Sequence, residues 1–488
     1  MTRRVPGMVR RRAGLAVACA ALLATLAACG QLEAGLEDDR FAEVARSAVD
    51  TQHYLVVAQP AARATQVTAA IDAAGGVVTR ALPTVGVYAA ASTRPDFLEA
   101  VQAARVVEAA DPMPLMTLPE IVVDRSSFRE LGAVAPEAFP EPPAAFWDEL
   151  WGIARVHAPA AWERGVTGSL DTVVAVIDTG IAWNHPDLAD RIVHTACFAV
   201  EIDPCIDYPW LSFHGTHVAG TVAANFGGGV VGVGPELGLA SYNVFELLEI
   251  EPGEFAVLAS FDSVFAAMLD AADSGFEVIN LSLGALVARG GGAASRDAAA
   301  IVTATKRVAD YVRRAGTLVV ASAGNSALDL TGPLLNLPGG PPGVVNVTAT
   351  GIRPDPVYPQ PGAYDVLAFY SNHGAPVDIA APGGDCGLDD SCDPAERPAN
   401  WFEYLVLSTS VSPDPVCALT ANCPVGYAFA AGTSMAAPHV SGVAGLVRDE
   451  HPRLRPNQVS ARLQRTAESI GHRLDFGSGM VDADRATR

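Results

Sequence analysis

Thr172-Val-Val-Ala-Val-Ile177 is apolar at all but its first position, the pattern of a strand covered on both faces. Val278-Ile-Asn-Leu-Ser-Leu283 and Thr317-Leu-Val-Val-Ala-Ser322 read similarly. Between such runs the apolar positions take helical spacing, over His214 to Asn225, Phe261 to Ser274 and Arg296 to Ala315. This alternation predicts an α/β fold from about Ala145 onward: a mostly parallel, doubly wound sheet with helices on both faces. Ligands of such sheets collect beyond the carboxyl ends of the strands, so chemistry is expected in the polar residues just after each strand.

Upstream the pattern changes. Tyr54 to Ala58 reads as a strand, and Ala64 to Ala74 as a helix stopped by Gly75-Gly76. Val77 to Ala91 holds two strands broken at Pro83, Phe97 to Ala104 is helical, and Val106 to Ala109 is a last strand. That order predicts a small ferredoxin-like α+β domain over 53–111. Residues 112–144 carry seven prolines and read as an irregular linker to the domain at 145–488, while 29–52 reads as a polar tether. Residues 1–28 have the layout of a secretory signal, with Arg3, Arg4 and Arg10 to Arg12 ahead of the uncharged stretch Ala13 to Ala28. Leu26-Ala27-Ala28-Cys29 resembles the lipobox of bacterial lipoproteins, which implies lipid on Cys29 and attachment to a membrane.

Composition narrows the partners. The 488 residues carry a net charge of −22, so a phosphate backbone is repelled and nucleic acid is excluded as a main partner. No apolar run reaches the ~20 residues that span a bilayer. Six cysteines remain beyond the N-terminal region: Cys197, Cys205, Cys386, Cys392, Cys417 and Cys423. In an oxidising compartment they are disulfide candidates. Sequence proximity groups them as 197–205, 386–392 and 417–423, but other connectivities are equally legal.

The polar residues after the strands form a constellation. Asp178-Thr179-Gly180 follows the first strand, His214-Gly-Thr-His-Val-Ala-Gly220 opens a helix, and Ser434 lies in Gly432-Thr-Ser-Met-Ala-Ala-Pro-His439 where a loop becomes a helix. Asn325 lies in Ala-Ser-Ala-Gly-Asn-Ser just past another strand. Singly, each has a bland reading as a turn residue, a helix cap or a structural histidine. Together, in the chain order Asp, His, Ser, they strongly resemble the subtilisin-like serine proteases. The resemblance runs from about Trp147, with WGIARVHAPAAW, to GSGMVDADRA near the C-terminus, and includes VINLSLG and ASAGN.

The resemblance implies a serine endopeptidase that needs no cofactor for catalysis and acts on proteins or peptides. A serine hydroxyl is a poor nucleophile until a neighbouring base accepts its proton. The implied base is His214 rather than His217, oriented by Asp178, with His439 structural. Asn325 and the Ser434 backbone N–H are the implied donors to the oxyanion. Ser282, Leu283 and Gly284 match the segment that pairs with the substrate backbone. Ala323 and Gly324 belong to the other wall of the specificity pocket, and both walls are small or apolar, so cleavage after apolar or aromatic residues is expected. Glu246, Glu249, Glu251 and Glu254 read as a solvated acidic loop.

Asp187, in HPDL, matches a ligand of structural calcium in the family, although Asn225-Phe-Gly-Gly-Gly-Val-Val-Gly departs from the family's companion loop. Residues 53–111 look like the propeptide that inhibits these proteases, so the chain is expected to be an exported precursor cut within 112–146. Lipid on Cys29 would then stay with the propeptide and the protease would be released. The alternative from another class is an inactive protein that holds peptides in the same groove. An esterase reading lacks a GxSxG elbow.

Overall fold

The computed structural model describes residues 51–118, 122–123, 128–130, 144–199, 213–251, 254–288, 298–352, 365–386, 392, 401–412 and 423–488. The expected signal, Cys29 and all but the last two residues of the expected tether, like Cys205 and Cys417, lie outside the described residues; Gln52, expected in the tether, begins a strand.

The small N-terminal unit consists of β1 (Gln52–Ala58), α1 (Ala64–Ala73), β2 (Val77–Leu82), β3 (Val87–Ser92), α2 (Phe97–Gln102) and β4 (Val107–Pro112). Its strands lie in the order β2-β3-β1-β4, all antiparallel. Alternation in β1 divides its side chains between two cores. Tyr54 and Val56 pack with Ile71 and Phe97 beneath the unit's own helices, whereas Leu55 and Val57 join the core of the large unit.

The proline-rich stretch is not wholly irregular, contrary to its composition. It contributes β5 (Leu115–Thr117), β6 (Val122–Val123) and β7 (Arg129–Glu130), each paired to a strand of the large unit. Such short edge additions need only a few backbone groups, so they tolerate prolines placed between them.

The large unit holds β8 (Val173–Asp178), β9 (Ile192–Cys197), α3 (Phe213–Ala223), β10 (Gly238–Asn243) and the hairpin β11 (Phe245–Glu251) with β12 (Glu254–Ser260). It continues with α4 (Phe261–Asp273), β13 (Val278–Leu281), β14 (Ala285–Ala288), α5 (Ala299–Ala315), β15 (Leu318–Ser322) and β16 (Leu334–Leu337). Then follow β17 (Val344–Ile352), β18 (Asp365–Leu367), β19 (Ile379–Pro382), β20 (Val406–Val411), β21 (Val425–Ala431), α6 (Thr433–Glu450) and α7 (Pro456–Thr466). The main sheet runs β18-β17-β15-β13-β8-β10-β9, with β19 also on β17, and only β18 is antiparallel. The expected doubly wound architecture is therefore the observed one.

The unbroken apolar run in β8 has a direct cause. Val174 and Val176 face the core that holds α3 and α6, while Val173, Ala175 and Ile177 face the core that holds α4 and α5. The strand order reverses beside β8, since the chain moves to β9 and β10 on one side and to β13 on the other. A crevice forms at such a reversal. The stretch expected to be a solvated acidic loop is instead the β11–β12 hairpin, and Glu246, the second residue of β11, is buried.

Cys386 and Cys392 form a disulfide, and Cys197 and Cys423 each take part in a disulfide of their own.

Candidate active site

Asp178 is the last residue of β8 and is fully buried. Its Oδ1 accepts the N–H of Thr179 at 2.7 Å, which fixes the carboxylate at the turn. His214, the second residue of α3, meets it: Nδ1 lies 2.8 Å from Oδ1 and 3.0 Å from Oδ2. A carboxylate only accepts, so Nδ1 carries the proton and Nε2 is the basic nitrogen. The glycine after His214 permits this approach, because a Cβ on Gly215 would lie 2.3 Å from the Gly180 carbonyl oxygen.

Ser434 is the second residue of α6 and is buried. Its Oγ donates to the Ser282 carbonyl at 3.2 Å, and Ser282 Oγ donates to the Ser434 carbonyl at 2.8 Å. Ser282 is held in turn by Asn280 Nδ2 at 3.0 Å, and Asn280 Oδ1 accepts from Ser441 Oγ at 2.8 Å. A buried polar line thus ties the first turns of α6 to the end of β13, and α3 packs directly against α6.

Asn325 lies three residues past β15. Its Oδ1 accepts from the backbone N–H of Thr433 at 2.9 Å and from Thr433 Oγ1 at 2.7 Å. With the carbonyl end anchored to the residue before Ser434, Nδ2 is the end that can donate to a substrate. Asn325 and Ser434 are therefore joined through one intervening residue, although more than a hundred positions separate them along the chain.

The expected substrate-binding residues sort differently. The Leu283 side chain is fully buried in the core with α4 and α5, so only its backbone can meet a ligand. Gly284 runs against Asn336, whose Oδ1 would lie 2.8 Å from an added Cβ, so this wall has no room for a side chain on that face. Ala323 is buried and donates to Val347 O at 2.9 Å, and Gly324 adopts φ +97°, a region glycine enters without strain.

The other histidines are structural in their surroundings. His217 Nε2 lies 3.1 Å from both the Val406 and the Ala428 carbonyls. Burial, helped by the His214 charge, pushes its pKa down to about 3. His439 Nδ1 lies 2.9 Å from Met435 O, and burial lowers its pKa to about 4. His214 alone among the three touches a carboxylate.

Asp187 is buried, and its Oδ2 accepts from Gly229 N at 3.0 Å, Val230 N at 3.2 Å and Tyr427 Oη at 3.0 Å. Burial raises its pKa while these donors and His185 oppose the rise. A hard cation requires oxygen lone pairs, whereas the groups in contact with this oxygen are N–H and O–H donors. An added Cβ on Gly228 would also lie 2.3 Å from Asp187 Cγ, so the glycine loop packs straight onto the carboxylate. The donor set does not fit calcium at this oxygen. Among the described residues no group of three or more His, Cys, Asp or Glu side chains converges on a common point.

Two polar residues escaped the sequence reading. Thr433 was hidden inside the serine motif as a spacer. Asn372, in Tyr-Ser-Asn-His-Gly, is fully buried and bonds the backbone on both sides of Asn325. No motif and no expected strand in the sequence flags it.

An Asp–His pair at the carboxyl edge of a doubly wound sheet, with a serine opening a buried helix, is the architecture of a serine protease. The sequence profile of the subtilase family matches residues 169–481. The chain belongs to that family and is a subtilisin-type serine endopeptidase. It is 35% identical to alkaline elastase YaB of Bacillus sp. (strain YaB) over 339 residues, covering 69% of this chain and 70% of that protein. It is 34% identical to subtilisin Savinase of Lederbergia lenta over 339 residues, covering 69% of this chain and 98% of that protein. Fervidolysin from Fervidobacterium pennivorans superposes with a TM-score of 0.63 at 23% identity, over 90% of this chain and 61% of the fervidolysin chain. The epidermin leader peptide processing serine protease of Staphylococcus aureus superposes with a TM-score of 0.65 at 19% identity, over 90% and 98% of the two chains. At these identities the two superpositions speak to the fold.

Proposed function

We propose that the protein is an exported serine endopeptidase, made as an inactive precursor, in which Ser434 attacks the peptide carbonyl through an acyl-enzyme. The observation that carries this is the 2.8 Å contact between His214 Nδ1 and Asp178. It leaves Nε2 as the base, the role a serine nucleophile requires. In the acylation step Ser434 Oγ gives up its 3.2 Å contact with Ser282 O, and its proton passes to His214 Nε2 as the C–O bond forms. The carbonyl oxygen becomes anionic between Asn325 Nδ2 and the Ser434 N–H, at the positive end of α6. Collapse breaks the C–N bond, the amine leaves with the proton from His214, and water repeats the sequence to free the enzyme.

Residues 53–111 act in this reading as an inhibitory propeptide. Support comes from the linker, whose β5 pairs with β12 and whose β6 pairs with Ala430 and Ala431, just before Gly432. The second of these pairings brings the linker to the strand that leads directly into the Ser434 motif. Self-processing in 112–146 would release the catalytic unit from the N-terminal piece. A signal at 1–28 and lipid on Cys29 would hold that piece at the membrane. Substrates are proteins or peptides with apolar or aromatic residues before the cut, since the walls offer backbone, Ala323 and Gly324.

A fluorophosphonate probe tests the activity. Processed protein should be labelled, and Ser434→Ala should neither be labelled nor hydrolyse casein. Absence of labelling in the wild-type processed protein would leave only a peptide-holding groove.

A further inference from the structure

We propose that Asn372 is a positioning residue of the reaction, a clamp that holds the Ala323–Leu328 loop so that the Asn325 amide stays aimed at the scissile carbonyl. The inference rests on the protease reading and on the role given there to Asn325.

Asn372 is fully buried, and both ends of its side chain engage one loop. Its Oδ1 accepts the N–H of Ser326 at 3.1 Å and of Leu328 at 2.9 Å, while Nδ2 donates to Ala323 O at 2.9 Å. Its backbone N–H donates to Gly324 O at 2.9 Å. Four bonds from one residue therefore grip the loop before and after Asn325, and none reaches Asn325 itself. Neighbours of Asn372 extend the grip, since Ala327 N donates to Tyr370 O at 2.7 Å and His373 N to Leu328 O at 3.0 Å.

The loop requires such support. Gly324 has φ +97° and Ala327 has φ +52°, and an alanine in the left-handed region persists only where its surroundings over-determine it. Gly324 also makes room for the clamp, because an added Cβ there would lie 2.5 Å from Asn372 Nδ2. An amide suits the position because it offers an acceptor and a donor on one planar group. Thr433 fixes the carbonyl end of Asn325 and also accepts the Gly324 N–H at 3.1 Å, so Asn372 and Thr433 both hold the segment that carries the donor. Small displacements of such a donor are expensive in turnover, since its value depends on reaching the oxyanion at hydrogen-bond distance.

The test compares kcat and KM of the processed enzyme for Asn325→Ala, Asn372→Ala and the double variant, on a peptide p-nitroanilide. Asn372→Ala should lower kcat by about ten- to a hundredfold with KM held within about threefold. In the Asn325→Ala background the same substitution should lower kcat by no more than about twofold, because the donor it positions is gone. Asn372→Asp keeps the acceptor for Ser326 and Leu328 but faces Ala323 O with an oxygen, so it should lose part of the turnover. It carries the same comparison if Asn372→Ala does not fold. Losses that multiply in the double variant, or a rise in KM with kcat intact, would overturn the clamp while leaving the protease reading standing. Unchanged turnover in Asn325→Ala would overturn the oxyanion assignment and the clamp together.

Discussion

At the residue scale, two histidines one turn apart on α3 receive opposite environments. His214 faces a carboxylate, whereas His217 faces two backbone carbonyls in a dry interior, with its pKa near 3. The sign of the resulting pH dependence follows from burial. Unfolded His217 takes up a proton below about 6.5 while the folded side chain stays neutral until about pH 3. Stability present above pH 6.5 is therefore lost as pH falls through that window, at up to about 1.4 kcal/mol per pH unit for this group. In His217→Gln, the drop in Tm between pH 7 and pH 4.5 should be smaller than in wild type, as thermal denaturation of the two proteins would show. Asn325→Ala belongs to the same scale. It should reduce kcat roughly a hundred- to a thousandfold with KM little changed, measured on a peptide p-nitroanilide.

At the element scale, what was legible in the sequence depended on how each element earns its burial. β8, β13 and β15 could be read because both faces are covered, so their apolar runs are continuous. β5, β6 and β7 could not, because each is only two or three residues long: Met116 of β5 is buried in the core with α4 and α5 and Arg129 of β7 pairs with Glu149, but single positions make no periodic pattern. Asp178, His214 and Ser434 were legible because small flanking residues mark the turn that ends β8 and the sharp starts of α3 and α6. Asn372 carries no such flank and acts through the loop it holds. Gly215 illustrates the packing that the flanks encode. Gly215→Ala would drive a Cβ toward a backbone oxygen at 2.3 Å and push α3 from the β8 turn. A shift of about 1 Å is enough to lower turnover on the order of a hundredfold, with fluorophosphonate labelling slowed in parallel. The Asp187 cage is a second element-scale device, joining the glycine loop to β21. Tyr427→Phe removes one of three donors to a buried carboxylate and should destabilise the protein by about 1–3 kcal/mol. Because the cage is built from donors, EDTA should not change the Tm difference between Tyr427→Phe and wild type.

At the scale of the whole molecule, the small and large units share one apolar core. Leu55, Val57, Val85 and Val87 pack with Val264, Phe265 and Ile301, so separating the units exposes hydrophobic surface on both. Polar contacts orient this interface: Arg80 bonds Asp262 at 2.8 Å and Phe198 O at 2.8 Å, and Arg307 donates to Ala58 O at 2.9 Å. The apolar face supplies attraction with little direction, while the two arginines fix how the small unit sits on α4 and α5. A catalytic unit produced without residues 51–118 should consequently fold poorly, and the small unit added in trans should raise its yield and then inhibit it. Arg80→Ala leaves Asp262 buried without its cation, at 6% side-chain exposure. The variant small unit should therefore inhibit more weakly, with an inhibition constant raised by about tenfold, equivalent to ~1.4 kcal/mol. An inhibition constant unchanged by Arg80→Ala would mean that the shared apolar core alone holds the two units, and the arginine would then serve orientation without affinity.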